Sequence, residues 1–266
     1  MVDMSAYSLD GRTAIVTGAG SGIGRGTALE MANAGADVVI AEWRRDTAEE
    51  TAYMVRELGK RALVVTTDVT SVESAEAMVT ASLREFDRVD ILVNNVGGLG
   101  PQPKKTTIIE LELGEWESLI RLNLTSQFIC CKAFITMLVD RGIKGNIVNI
   151  ASLAALVPYE TSVVYGAAKA GVVSMTQTLA AEYGKHGIRV NCIAPGHVRT
   201  PIPEALYRNR EELRAAQDRI IPVGRWGEPE ELGRLAVFLS SDASSYVTGQ
   251  TIVASGGMTY FLTKLP

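Results

Sequence analysis

The sequence holds few of the residues that could staple it or bind it to a metal. Its three cysteines, Cys130, Cys131 and Cys192, cannot all pair within one chain, and two are adjacent in a stretch that reads as a helix. That is the usage of buried reduced thiols, not of a disulfide framework. Two histidines, His186 and His197, are too few for an all-protein zinc site, so no metal is expected. Excess positive charge is missing too. With 26 Lys+Arg against 30 Asp+Glu there is no general positive field to hold nucleic acid or an anionic membrane. No run of eighteen or more apolar residues occurs, and the opening MVDMSAYSLDGR has neither a basic n-region nor an apolar core. These absences point to a soluble, cytoplasmic protein with no nucleic-acid and no membrane partner.

What is present is a regular alternation. Short β-branched runs at 13–17, 37–41, 62–66, 91–93, 146–150, 189–193 and 251–254 are separated by helical patterns at about 22–34, 46–58, 71–86, 115–139, 160–183, 203–217 and 229–239. The runs are continuously apolar (AIV, VVI, ILV), as parallel strands are when helices cover both faces. No stretch has the composition of a linker, and no repeat or low-complexity tract is found, so residues 1–266 read as a single domain. One helix breaks the amphipathic rule. Ser162 to Ala181 is small or apolar around nearly its whole circumference, with Lys169 its only charge. A sheet covers one side of such a helix, so another subunit is expected on the rest, together with the neighbouring helix that carries Leu119, Leu122 and Phe128.

Directly after the first apolar run stands TGAGSGIG, Thr17 to Gly24, with four glycines in eight residues. Where a first strand turns into a first helix, glycines let backbone approach a pyrophosphate held by the helix N-terminal N–H groups. The stretch reads as a dinucleotide cradle, and the fold as an α/β, Rossmann-type doubly wound sheet of about seven parallel strands with helices on both faces. The second strand ends VVIAEWRR, which makes Glu42 the candidate partner of the adenosine ribose hydroxyls. A carboxylate there repels a 2′-phosphate and favours NAD over NADP, while Arg44 and Arg45 stand close enough to offer a phosphate a competing site.

TGAGSGIG (17–24), NNVG (94–97), Ser152 after IVNIA, YGAAK (165–169) and PGHVRT (195–200) follow in the order and spacing of the short-chain dehydrogenase/reductase family, in its compact TGxxxGxG branch. The chain resembles that family over essentially its whole length, including IPVGRWGEPEE (221–231) and the closing SGG (255–257). It departs at Val96, where Ala is usual, at Ser255, and in the long Pro-rich loop from Gly97 to Glu115.

The chemistry can be argued from the residues. Tyr165 and Lys169 are four apart and share a helix face. A nearby ammonium stabilises a phenolate, and lowering a Tyr pKa from near 10 by ~2–3 units corresponds to about 3–4 kcal/mol. Lys169, together with an oxidised, cationic nicotinamide, is the expected source of that shift, making Tyr165 the general base for alcohol oxidation or the acid for ketone reduction. Ser152 would donate a hydrogen bond to the substrate oxygen. The resemblance implies further roles. Asn123, by itself a helical polar residue facing solvent, would hold a water in the proton relay. Gly18, Ser21, Gly22, Ile23 and Gly24 would cradle the cofactor, Asp68 and Val69 would stand beside its adenine, and Asn95 and Gly97 would form an adenosine-side loop. Pro195, Val198 and Thr200 would fix the nicotinamide carboxamide, and Lys169 would also bond the nicotinamide ribose.

A substrate lid is expected at about 196–226. Its arginines (Arg199, Arg208, Arg210, Arg214, Arg219, Arg225) interleave with Glu204, Glu211, Glu212 and Asp218, so they read better as a salt-bridged helix than as an anion trap. Leu153, Val157, Tyr159 and His197 flank the expected pocket and would make it mostly apolar. The leading reading is an NAD-dependent oxidoreductase of small-molecule secondary alcohols and ketones, assembled as a homotetramer or homodimer through the helices at about 115–139 and 160–183. The others are an NADPH-dependent 3-oxoacyl-carrier-protein reductase and a non-catalytic dinucleotide sensor.

Overall fold

The computed structural model describes residues 5–99, 107–160, 162–201 and 219–258. Among them, seven strands form one sheet: β1 (Thr13–Thr17), β2 (Asp37–Glu42), β3 (Ala62–Thr66), β4 (Ile91–Asn94), β5 (Gly145–Ile150), β6 (Ile188–Pro195) and β7 (Thr251–Ala254). Their spatial order is β3-β2-β1-β4-β5-β6-β7, and every pairing is parallel. The expected strands are all present, and β6 runs two residues further than the apolar pattern, ending on Pro195. Order reverses between β1 and β4, and a doubly wound sheet opens its crevice at that point.

The helices are α1 (Gly22–Asn33), α2 (Arg45–Glu57), α3 (Val72–Phe86), α4 (Leu113–Ile120), α5 (Ser126–Arg141), α6 (Val163–Tyr183) and α7 (Pro229–Ser240). They cover both faces because neighbouring strand residues point opposite ways. Ala14 and Val16 of β1 pack with α1, α2 and α7, while Ile15 between them packs with α3 and α5. The helix expected at 203–217, and with it most of the lid, lies outside the described residues.

Between α4 and α5 the chain does not restart but passes through a π-helical turn, Arg121–Thr125. The continuous segment Leu113–Arg141 is long and apolar enough to cross a membrane, yet just over half of its apolar window is buried inside the protein, as in a core helix. Cys130, Cys131 and Cys192 are free and buried. Burial pushes the Cys130 thiol up to about 12 and the Cys192 thiol up to about 11, so neither is an available thiolate at neutral pH.

Candidate active site

The turn after β1 is held in a shape that only glycine tolerates. Gly18 and Gly22 take φ values of 64° and 53°. A Cβ on Gly24 would enter the carbonyl oxygen of Gly18 and stand 2.6 Å from Asn95 Nδ2. Asn95 closes the turn by donating its Nδ2 to the carbonyls of Thr17 (3.0 Å) and Gly18 (3.2 Å) and its N–H to Thr17 Oγ1 (2.9 Å). Ser21 precedes α1 in extended conformation without capping it, and no acid occupies the first turn. Ile23 turns inward and packs against the core. The free N–H groups of that helix end, facing a backbone without side chains, fit a pyrophosphate.

Glu42, at the end of β2, stands at the same turn. Its Oε2 accepts from the Gly20 N–H at 3.0 Å and its Oε1 from the Arg44 N–H at 3.1 Å. Register places the end of β3 alongside, with Thr67 N–H donating to the Glu42 carbonyl. Val69 is buried there, and Asp68 spends its carboxylate on the Thr70 N–H (2.9 Å) and hydroxyl (2.7 Å), an Asx turn into α3. Trp43, 67% exposed, follows Glu42 at the same edge. On the other side of the turn, Pro195 ends β6, Val198 is buried and bridges to Gly227, and the Thr200 methyl would lie 3.0 Å from a Cβ on Gly22. Thr200 thus lies against the glycine turn.

The second half of the site is built on α6 and on the end of β5. Tyr165 and Lys169 share a face, with Lys169 Nζ 5.8 Å from the ring centroid. Lys169 is 2% exposed, and its Nζ donates to the Ile150 carbonyl at 2.9 Å. Ser152 caps the turn Leu153–Ala155, its Oγ accepting from the Ala154 N–H at 3.2 Å, and it also hydrogen-bonds Tyr165. Asn123 is fully buried, contrary to a solvent-facing helical position, because the π-turn rotates it inward. Its Oδ1 accepts from the Gly98 N–H (2.8 Å), and its Nδ2 donates to the carbonyls of Gly98 (2.8 Å) and Leu119 (3.0 Å). Gly97, expected in the adenosine-side loop with Asn95, sits where a Cβ would meet Lys169 Nζ at 2.7 Å and Asn123 Oδ1 at 2.8 Å.

The expected lowering needs a cationic nicotinamide beside Lys169, and the protein alone stands the other way. In the free protein, burial pushes the phenol above its ordinary value, the Ser152 hydrogen bond pulls it back in part, and the nearby Tyr159 adds to the rise. Lys169 does not offset this, because burial lowers its own value to about 8 and its ammonium is turned to a backbone carbonyl. Desolvation outweighs attraction here. Of the residues expected to flank a pocket, Leu153 and Val157 belong to a cluster with Ile221, Trp226 and Met258, and the His197 ring packs on Trp226.

Two contributors were not foreseen. Arg25 donates to the Gly20 carbonyl (2.5 Å) and to Thr51 Oγ1 (3.0 Å) and pairs with Glu50, tying the glycine turn to α2. A cation in the first turn opposes the helix dipole, and that is the one sequence signal it carries. Gln127, buried in α5, donates Nε2 to the same Ile150 carbonyl that Lys169 uses. Nothing in SQFICC marks it out.

The family model described as Enoyl-(Acyl carrier protein) reductase matches residues 18–259. The short chain dehydrogenase/reductase astE of Aspergillus oryzae is 44% identical over 256 residues, covering 95% of this chain and 96% of that protein. A solved Agrobacterium tumefaciens protein with bound NADP superposes with a TM-score of 0.87 at 36% identity, covering 96% of this chain and 99% of that one. A 7α-hydroxysteroid dehydrogenase complexed with NADH and 7-oxo glycochenodeoxycholic acid does so at 0.89 and 32%, covering 97% and 98%.

Proposed function

The chain belongs to the short-chain dehydrogenase/reductase family, and on that premise we propose that it prefers NAD to NADP and moves the reaction's proton through Tyr165. It is a nicotinamide-dependent oxidoreductase that interconverts alcohols and ketones. The observation that carries the proton assignment is the meeting of Ser152, Tyr165 and Lys169 at the strand ends beside the glycine turn. When bound, the nicotinamide supplies or accepts the hydride. The chain's residues do the rest. Ser152 Oγ donates to the substrate oxygen, and Tyr165 Oη gives that oxygen its proton in reduction or removes it in oxidation. Lys169, held by Ile150, supplies positive charge behind the ring, and Asn123, held by Gly98 and Leu119, would position a water in the proton relay. The test is alcohol and ketone turnover read by NADH absorbance, with both cofactors.

The cofactor preference rests on Glu42, whose carboxylate is fixed by two backbone N–H groups at the turn. A 2′-phosphate brought to this place meets a like charge that cannot swing away. NAD should therefore exceed NADP in kcat/KM by at least tenfold. Glu42→Gln, which keeps one of the two acceptor oxygens and removes the charge, should shrink that ratio at least fivefold; an unchanged ratio would shift the preference to Arg44 and Arg45.

Assembly as a homotetramer is part of the same reading. Outside its core-facing stripe of Val164, Ala168, Val172, Thr176 and Ala180, α6 exposes Ala167 and Ala170, and α4 buries none of its residues. Phe128 of α5 is 51% exposed. Apolar faces of this kind are characteristic of subunit contacts. Sedimentation equilibrium should give four chains per particle, and Phe128→Asp should shift it to smaller species; a monomeric wild type would refute the contact.

A further inference from the structure

A cavity of about 550 Å³ opens against the N-terminal end of α6, lined by residues that include Ile108, Ala154, Pro158, Tyr159, Val163 and Gly166. It adjoins the reacting groups at three points. Ala154 donates its N–H to Ser152 Oγ, Gly166 follows Tyr165, and Tyr159 is near enough to raise the Tyr165 phenol by charge. Its volume lies within the range of sites for drug-sized ligands, about 300–1,000 Å³. Thr107, Ser162 and Glu160 complete the lining, and among the described residues no Lys, Arg or His joins it. Its apolar walls are left wet: Ile108 is 66% and Val163 45% exposed.

Resting on the oxidoreductase reading, we propose that this cavity takes the body of the substrate, and that this body is a neutral, predominantly hydrocarbon ring system larger than one six-membered ring. The reacting carbon stands at Ser152 and Tyr165 while the rest of the molecule lies on Ile108, Val163 and the face of Tyr159. A polyhydroxylated ring would bury hydroxyls against Ile108, Pro158 and Val163 without partners. A carboxylate would find no cation among the described residues of these walls.

Four alcohols separate the terms in NAD-linked oxidation: cyclohexanol, decahydro-2-naphthol, myo-inositol and 4-hydroxycyclohexanecarboxylate. Decahydro-2-naphthol should exceed cyclohexanol in kcat/KM at least tenfold, and cyclohexanol should exceed the other two. Ile108→Trp, which fills the cavity from an exposed position, should cut the bicyclic-to-monocyclic ratio at least tenfold, whereas Ile109→Trp, beside it but outside the lining, should leave that ratio in place. The assignment would be overturned by inositol or the carboxylate ahead of the bicyclic alcohol, by a ratio indifferent to Ile108→Trp, or by a change of assembly state in that variant with the ratio kept. Turnover of cyclohexanol with no bicyclic advantage sinks the cavity alone, and turnover of none of the four sinks the oxidoreductase reading with it.

Discussion

Tyr165→Phe is expected to lower kcat by about 10²–10⁴-fold, the span associated with a positioned proton-transfer group, while NADH binding followed by fluorescence stays within about threefold. The substitution removes one oxygen from a ring whose packing on α6 is otherwise unchanged, so the loss would measure chemistry and not folding. The pH dependence has a definite sign. In the free protein, burial keeps the phenol above its ordinary value of 10.0, so at pH 7 Tyr165 carries its proton. Ketone reduction starts from that form, and its rate should be flat through neutrality and fall only in alkali. Alcohol oxidation needs the proton gone, and its kcat/KM should climb as pH rises from about 6 to 8. Parallel profiles in the two directions, or a Phe variant retaining a tenth of wild-type turnover, would remove Tyr165 from the role. The Lys169 ammonium, held near 8 by burial, loses charge across the upper part of the same range, so the oxidation profile should bend over above pH 8. Lys169→Met should abolish the bend as well as most of the rate.

The second large effect is at the glycine turn. Gly24→Val places branched carbon where the Gly18 carbonyl oxygen and the Asn95 amide already meet, and both are fixed by the β1 end. Neither neighbour is the loose end of a flexible side chain, so α1 must move away from β1. Overpacking of this kind costs about 1–3 kcal/mol, which for a chain of this size lowers Tm by about 2–4 °C per kcal/mol. The functional loss should be larger than the thermal one. Displacing α1 withdraws its N–H groups from the place a pyrophosphate would take, and the NADH Kd should rise at least thirtyfold. A Gly24→Val protein that melts early but binds NADH normally would mean the cradle lies elsewhere. Gly11→Ala is the control, since a Cβ there meets nothing within 4 Å and a positive φ of 72° supplies only local strain.

Most of the fold was legible because hydrophobic periodicity and the alternation of strand and helix are local properties. The runs 13–17, 62–66 and 251–254 match β1, β3 and β7 to the residue, and α6 emerged from its unusual lack of polar residues. The chemistry-bearing side chains were legible for a different reason: Tyr165 and Lys169 are one helical turn apart, and Ser152 ends a strand, so sequence spacing already sets their neighbourhood. Asn123 shows the limit. A regular helix through 115–139 would turn it outward, and only the π-turn that joins α4 to α5 buries it against Gly98. Arg25 and Gln127 escaped notice because their partners, Gly20 with Thr51 and Ile150, are brought to them by the packing of α1 against α2 and of α5 against β5.

Composition, period and motif order determined the class of this protein: a doubly wound parallel sheet, a glycine turn for a dinucleotide, and a Ser, Tyr and Lys set for moving a proton. These follow from contacts within a few residues, or from strand ends that any such sheet brings together. The tertiary structure decided the electrostatics and the specificity. Whether a phenol beside an ammonium is made more or less acidic depends on how completely both are removed from water, and here desolvation wins. The cavity at Ile108, Tyr159 and Val163 exists only because a loop after β4, a loop after β5 and the start of α6 converge in space, at distances along the chain that no local pattern spans.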